Sequence, residues 1–209
     1  VYVLKYRLAD NDEPYTALRL EVLPDPSLPA GGPGLAFYEG RRGDFFLSEL
    51  GIMFNGTPLD LVQPSHSFGK ISVGSGSADA ENVIDGEGSS GWSTSGAEGS
   101  ENQWVANFST PLQGAGELKI KLVFERHFAA GLGRFRFSLT SGNAPVVASR
   151  LPGEMYDWNV DTVTELSEND YLALQRHFIR SSPTVKSERA LIEQLRASVP
   201  EKVRTLGMR

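Results

Sequence analysis

Alternation is the feature that most constrains this chain. In "TALRLEVL", Leu18, Leu20 and Val22 fall on one side, with Arg19 and Glu21 on the other. "ELKIKLVFE" sets Leu118, Ile120, Leu122 and Phe124 against Lys119 and Lys121. "GRFRFSLTS" sets Phe135, Phe137 and Leu139 against Arg136 and Ser138. A period of two is what a strand shows when one face meets a core and the other meets water. Further strands are read at "VYVLKYRL" from Val1, "FFLSELGIMF" (45–54), "GKISV" (69–73) and "QWVANFS" (103–109). The connectors are turn clusters ("PDPSLPAGGPG", "NGTP", "PLQGAGE", "TSGNAP"), in keeping with 22 glycines and 12 prolines in 209 residues. Short strands separated by turns, with no helical pattern between them, predict a mainly β fold: an antiparallel β-sandwich or jelly roll.

The pattern changes near Asp161. In "LSENDYLALQRHFIR", Ser167 is placed to cap a helix, Glu168 and Asp170 follow in its first turn, and Tyr171, Leu174 and Phe178 form a stripe at helical spacing. "SSPT" breaks that helix, and a second is expected from Lys186 to Val199, stopped by Pro200. The expected organisation is a β-sandwich over 1–153, then a linker and short C-terminal helical extension over 154–209. The chain opens inside a strand pattern at Val1, which is the expectation for a segment of a longer protein.

Charge and composition remove several classes. A net charge of −6 disfavours binding to phosphate backbones, so no nucleic-acid partner is expected. With no cysteine, thiol catalysis, zinc–thiolate sites and covalent haem attachment are absent from this segment. No apolar run has membrane-spanning length, and no signal peptide is visible in the segment. The three histidines, His66, His127 and His177, show no ligand spacing, and neither a GxSxG elbow nor an HExxH helix occurs. The expectation is a protein that is not an enzyme.

"NVIDGEGSSGW" (82–92) contains a GxGxxG string at Gly86, Gly88 and Gly91. A dinucleotide fingerprint needs a strand before it and a helix after it, so that pyrophosphate meets a helix N-terminus. Here "WSTSGAEGSENQW" follows, without helical periodicity. The stretch also reads as A-x-N-V-I-D-G-x-x-x-S-G-W, with a Trp-bearing strand, "NQWVANF", behind it. That pattern resembles the signature of discoidin-type, galactose-binding-like β-sandwich domains, over roughly 45–150. "LRLEVLPDPSLPAGGPG", "FFLSELGI", "AENVIDGEGSSGW" and "LGRFRFSLTS" together resemble a region of planctomycete-type multidomain cytochrome c proteins. The resemblance implies a carbohydrate-binding module in a secreted or cell-surface protein: extracellular or periplasmic, with flanking domains as neighbours and no haem in this segment. It also implies a structural Ca²⁺ in the 82–92 loop, with Asn82, Asp85, Glu87 and Ser90 contributing oxygens. Calcium is a hard cation that takes six to eight oxygen ligands, which a carboxylate, a hydroxyl and glycine-rich backbone can supply. Glu87 and Ser90 depart from the commoner Asp/Asn and Thr of the pattern. Without metal, Asp85 would bond its own backbone in a turn.

Sugar recognition pairs a flat aromatic face with groups that bond hydroxyls. The loop residues of those types are His127, Phe128 and Arg134 in "FERHFAAGLGRF", Tyr38, Arg41 and Arg42 in "FYEGRRGDF", and His66 and Phe68. Each has a plainer reading: Phe128 as core, Arg134 as an ion-pair partner, the basic loop as solvated surface. Trp92 and Trp104 read as buried bulk. The expected function is non-catalytic binding of a polysaccharide through the end loops of the sandwich. The alternative is a structural spacer that positions flanking domains and binds no sugar.

Overall fold

A computed structural model describes residues 1–37, 40–72, 76–125, 130–149 and 167–197. The chain divides into two compact units, Val1–Arg150 and Leu151–Arg209. The first is mainly β. Its strands are β1 (Tyr2–Leu8), β2 (Tyr15–Val22), β3 (Glu49–Phe54), β4 (Thr57–Leu59), β5 (Leu61–His66), β6 (Asn102–Leu112), β7 (Gly116–Val123) and β8 (Phe135–Thr140). They form two four-stranded sheets, one in the order β1-β7-β3-β4 and the other β5-β6-β2-β8, with every neighbouring pair antiparallel.

The alternation decides which faces meet. Leu18, Leu20, Val22, Trp104, Ala106 and Phe108 of the second sheet share one buried cluster with Leu50, Ile52, Leu118, Ile120 and Leu122 of the first. The two sheets therefore pack face to face, sandwich-like, over one core. Both expected core tryptophans are fully buried, and each indole finds an acceptor: Trp92 Nε1 donates to the Phe68 carbonyl and Trp104 Nε1 to that of Ala80. Those bonds matter because an indole N–H left unpaired in a core costs the hydration it gives up. Between β3 and β4 the "NG" pair makes a two-residue turn. Asn55 and Gly56 both take positive φ, 50° and 82°, which the primed hairpin turn requires and glycine accepts without strain.

Two expected strands come out differently. "GKISV" is not a strand: Lys70 makes one isolated parallel bridge to Thr94, and residues 73–75 lie outside the described ones. Gly69 packs against the Ala78 carbonyl and the His66 ring at the end of β5, leaving no room for a side chain there. "FFLSELGIMF" is strand only from Glu49. Ahead of it, Leu47 pairs singly with Trp92.

The outer face of the second sheet carries buried polar side chains: Glu21, Gln103 and Asn107. The segment after β8 satisfies two of them. Asn107 accepts from the Val146 N–H at 2.8 Å and donates to the Val146 carbonyl at 3.0 Å. Gln103 donates to the Ser149 carbonyl and the Ser65 hydroxyl accepts from the Ala148 N–H, both at 2.8 Å. Glu21 is held by Arg136 on neighbouring β8.

In the second unit, α1 (Glu168–Ser181) and α2 (Lys186–Ala197) are joined by a 3-10 turn, Pro183–Val185. Ser167 caps α1 as expected: its side chain accepts from the Asp170 N–H, and Asp170 returns the bond to the Ser167 N–H. Tyr171, Leu174 and Phe178 lie exposed on α1. Residues 198–200 and Trp158 fall outside the described residues.

Candidate functional site

The strand registers put the long loops at one end of the sandwich. Val22 pairs Asn102 and Phe135, His66 pairs Trp104, Tyr2 pairs Leu122, and Glu49 pairs Val123. The loops over 23–48, 67–101 and 124–134 all leave from these strand ends. The opposite end carries short turns, among them Asn55–Gly56 and 113–115.

Backbone bonds stitch these loops together. Gly34 bridges Leu132, Leu35 N–H donates to Gly131, Phe46 N–H to Ala130 and Gly133 N–H to Pro33. The loop carrying Arg42 is thus joined to the loop carrying Arg134, although they lie far apart in sequence. Gly34 sits where any Cβ would strike the Asp44 carbonyl, so the close approach needs glycine there. The tip of the first loop shows Phe37, about half exposed, with the Arg42 guanidinium 4.4 Å from the ring centroid. That distance is within reach of a cation–π contact.

The same loop makes polar contacts with the 93–98 stretch. Arg41 Nε meets Glu98 Oε1 at 2.7 Å, and Glu98 also accepts from the Gly96 N–H. Asp44 is buried and accepts from the Ser93 hydroxyl and the Phe45 N–H. Burial pushes its carboxyl above the ordinary range, against those bonds and with the nearby Glu98 charge adding to the rise.

The other expected sugar-binding residues separate. Arg134 is tied to Asp25 and the Pro24 carbonyl, which matches the plainer reading of an ion-pair partner. His66 is half-buried at the end of β5, and its Nδ1 has no hydrogen-bond partner. Tyr38, His127 and Phe128 lie outside the described residues.

The 82–92 loop lies at the same end. A short 3-10 turn (Ala80–Val83) precedes it, and Trp92 anchors its far side through paired bonds with Leu47. No helix follows the glycines, so the arrangement of a dinucleotide site is absent from this loop. Asp85 closes the turn: Oδ1 accepts from the Glu87 N–H at 2.8 Å, and Oδ2 lies 2.7 Å from Ser90 Oγ. Ser90 Oγ is also 2.8 Å from the Glu87 carbonyl, and its single proton can serve only one of the two acceptors. Asn82 turns its amide to the Ser77 and Gly91 carbonyls.

Two carboxylates that the spacing gave no means of finding stand against this loop. Glu49, at the start of β3, faces Asp85. Burial first, then the bond and charge of Asp85, push its carboxyl up to about 7. Its Oε1 is buried without a hydrogen-bond partner. Burial raises the Asp85 carboxyl too, but the bonds from Ser90, the Glu87 N–H and Glu49 outweigh it and hold it below its ordinary value. Glu125 lies so near Gly88 that a Cβ there would meet its Oε2 at 2.8 Å. Among the described residues no three His, Cys, Asp or Glu side chains converge as a metal cluster. Oxygens nevertheless gather at Asp85, Glu49, Ser90 and the Glu87 carbonyl, with one unpartnered oxygen and one contact short of a proton. Such a hard, oxygen-only set fits calcium better than a transition metal.

Comparison with protein-family models, with curated proteins and with solved structures finds no match to this chain.

Proposed function

We propose that the β unit is a non-catalytic carbohydrate-binding module of galactose-binding-like, jelly-roll type, which takes a polysaccharide at its loop-bearing end. One observation carries the reading: the end loops are stitched together and present Phe37 stacked with Arg42. A half-exposed aromatic ring with a guanidinium over one face supplies the two groups a sugar ring needs, an aromatic surface for its C–H face and a donor for its hydroxyls. A shallow loop site buries few ligand atoms, so affinity is modest. In this reading the 82–92 loop holds a structural Ca²⁺ through Asp85, Ser90 and the Glu87 carbonyl of the expected set, with Glu49 added, while Asn82, the fourth expected residue, turns its amide to the Ser77 and Gly91 carbonyls. The module belongs to a larger extracellular or periplasmic protein of the multidomain cytochrome type and keeps it near its polysaccharide.

The test is affinity electrophoresis and calorimetry of the whole chain against a panel of neutral polysaccharides. Retardation that Phe37→Ala and Arg42→Ala weaken, with unchanged melting, supports the reading. A folded protein that shows neither retardation nor heat across the panel overturns it.

The exposed apolar side chains of α1 and α2, among them Phe178 at 53% and Leu195 at 59%, favour a second reading. In it, the chain is a spacer whose helices dock a flanking domain.

A further inference from the structure

The flat outer face of the first sheet carries a charge opposite in sign to the rest of the protein. On β7, Leu118, Ile120 and Leu122 are buried, so Lys119 and Lys121 stand on the other face. The register adds neighbours from β1: Lys5 lies opposite Lys119, Val3 opposite Lys121 and Arg7 opposite Glu117. From β3, Gly51 flanks Lys121 and Met53 flanks Lys119. Four cations, Lys5, Arg7, Lys119 and Lys121, therefore share this face with Glu117 and, at the start of β3, Glu49, in a chain whose net charge is −6.

Their arrangement works against the fold. Lys5 and Lys119 form a directly opposed like-charge pair, which destabilises a ladder. Lys5 reaches the exposed Glu117 at 3.6 Å, while Lys119, Lys121 and Arg7 have no ion pair among the described residues. A Cβ added at Gly51 would meet nothing, so the flank of Lys121 is open. The cations are held at sheet spacing, roughly 5 Å between strands and 7 Å along them.

We propose that this face is a second binding surface, for a linear acidic polysaccharide that carries one carboxylate per sugar ring. Charge complementarity selects a polyanion. Lys121, the Lys5–Lys119 pair and Arg7 follow one another in a staggered line across the two strands, which suits an extended chain. An acidic protein repels the dense charge of duplex nucleic acid beyond the patch itself. Among the described residues the outward positions of β1, β3 and β7 also carry no aromatic side chain to insert into a lipid surface. The inference does not rest on the end loops, which leave the sandwich from its edge, whereas these cations lie on its flat.

The test is calorimetry and affinity electrophoresis of the whole chain with polygalacturonate. Lys119→Glu/Lys121→Glu and Arg42→Ala serve as variants, and duplex DNA and phosphatidylserine vesicles as competing polyanions. Expected is binding that weakens about tenfold or more between roughly 0.05 and 0.5 M salt. The double charge reversal should remove it without lowering the melting temperature, since it relieves the Lys5–Lys119 repulsion, while Arg42→Ala leaves it intact. Lys119→Met/Lys121→Met, which removes charge without adding repulsion, should also abolish it. Polygalacturonate binding that survives both double variants overturns the proposal. So does no binding at low salt, or tighter binding to DNA or vesicles. Failure of neutral sugars to bind while polygalacturonate still does would sink the end-loop reading alone.

Discussion

Arg136 holds Glu21 through two parallel hydrogen bonds, Nε to Oε2 at 2.7 Å and Nη2 to Oε1 at 2.8 Å. The carboxylate they grip is 4% exposed on the outer face of the second sheet. Burial alone raises its affinity for a proton. The bonds from Arg136 and Ser138 and the charges of Arg19 and Arg136 outweigh that and hold the carboxyl below its ordinary value of 4.5.

The folded protein therefore binds fewer protons here than the unfolded chain does in mild acid. The pair's contribution is complete above about pH 4.5 and fades as pH falls through the lower folded value. Arg136→Ala leaves a buried carboxylate with weaker partners. The expected cost at neutral pH is about 1–3 kcal/mol, toward the low end because Arg136 is itself half-exposed. Urea denaturation followed from neutral pH into acid checks this: the variant's deficit should shrink as pH falls, and a deficit that grows would contradict the assignment.

Trp104→Phe should be costly for two separable reasons. It removes buried volume at a fully buried position, and it strips the Ala80 carbonyl of its indole donor. Together these predict a loss of about 2–4 kcal/mol in chemical denaturation.

Gly91 has no room for a side chain: a Cβ would press on the Leu47 carbonyl and the Phe46 ring. Gly91→Ala should push apart the Leu47–Trp92 pairing and cost about 1–3 kcal/mol, read as a lower melting temperature. Gly86→Ala meets no neighbour but sits at φ 81°, so its cost should be the smaller one of about 1 kcal/mol from backbone strain.

If the 82–92 loop holds calcium, a chelator should lower the melting temperature by several degrees, since ligand at about 100 times its dissociation constant stabilises by about 2.7 kcal/mol. Asp85→Asn should abolish that shift, and Glu49→Gln should reduce it. A melt that is the same in calcium and in chelator would remove the metal from the loop.

Asn107→Ala deprives Val146 of both its partners. Hydrogen exchange at Val146 and proteolysis after β8 should accelerate, with a global loss of about 1–3 kcal/mol.

Much of the sandwich was legible because its strands are half-buried: Leu18/Leu20/Val22 and Leu118/Ile120/Leu122 announce a buried side and a wet side. "GKISV" alternates just as well, but alternation says nothing about whether a neighbouring strand is available, and here the loops claim the segment first. β5 went unread because "LVQPSH" hides its pattern. Gln63 takes φ 48° and the ladder slips between Val62 and Ser65, so the period is broken at the proline. At the site, Asp85 and Ser90 were visible as a local turn. Glu49 and Glu125 were not, because they meet that loop through long-range pairing, β3 with β7 and Leu47 with Trp92. Likewise, nothing local in "NAPVVAS" marks a segment whose main chain is read by amides on another strand.

That last segment has a mechanical consequence. Tension arriving along the chain from beyond Ser149 does not fall first on β8, the edge strand, where bonds would open one by one like a zip. It reaches Gln103, Asn107 and Ser65 on β5 and β6, and these bonds must yield before the load passes to β8. Anything tethered downstream would pull on a clasp set into the body of the second sheet, and the β unit would keep its shape under a drag that would unpick an unclasped edge.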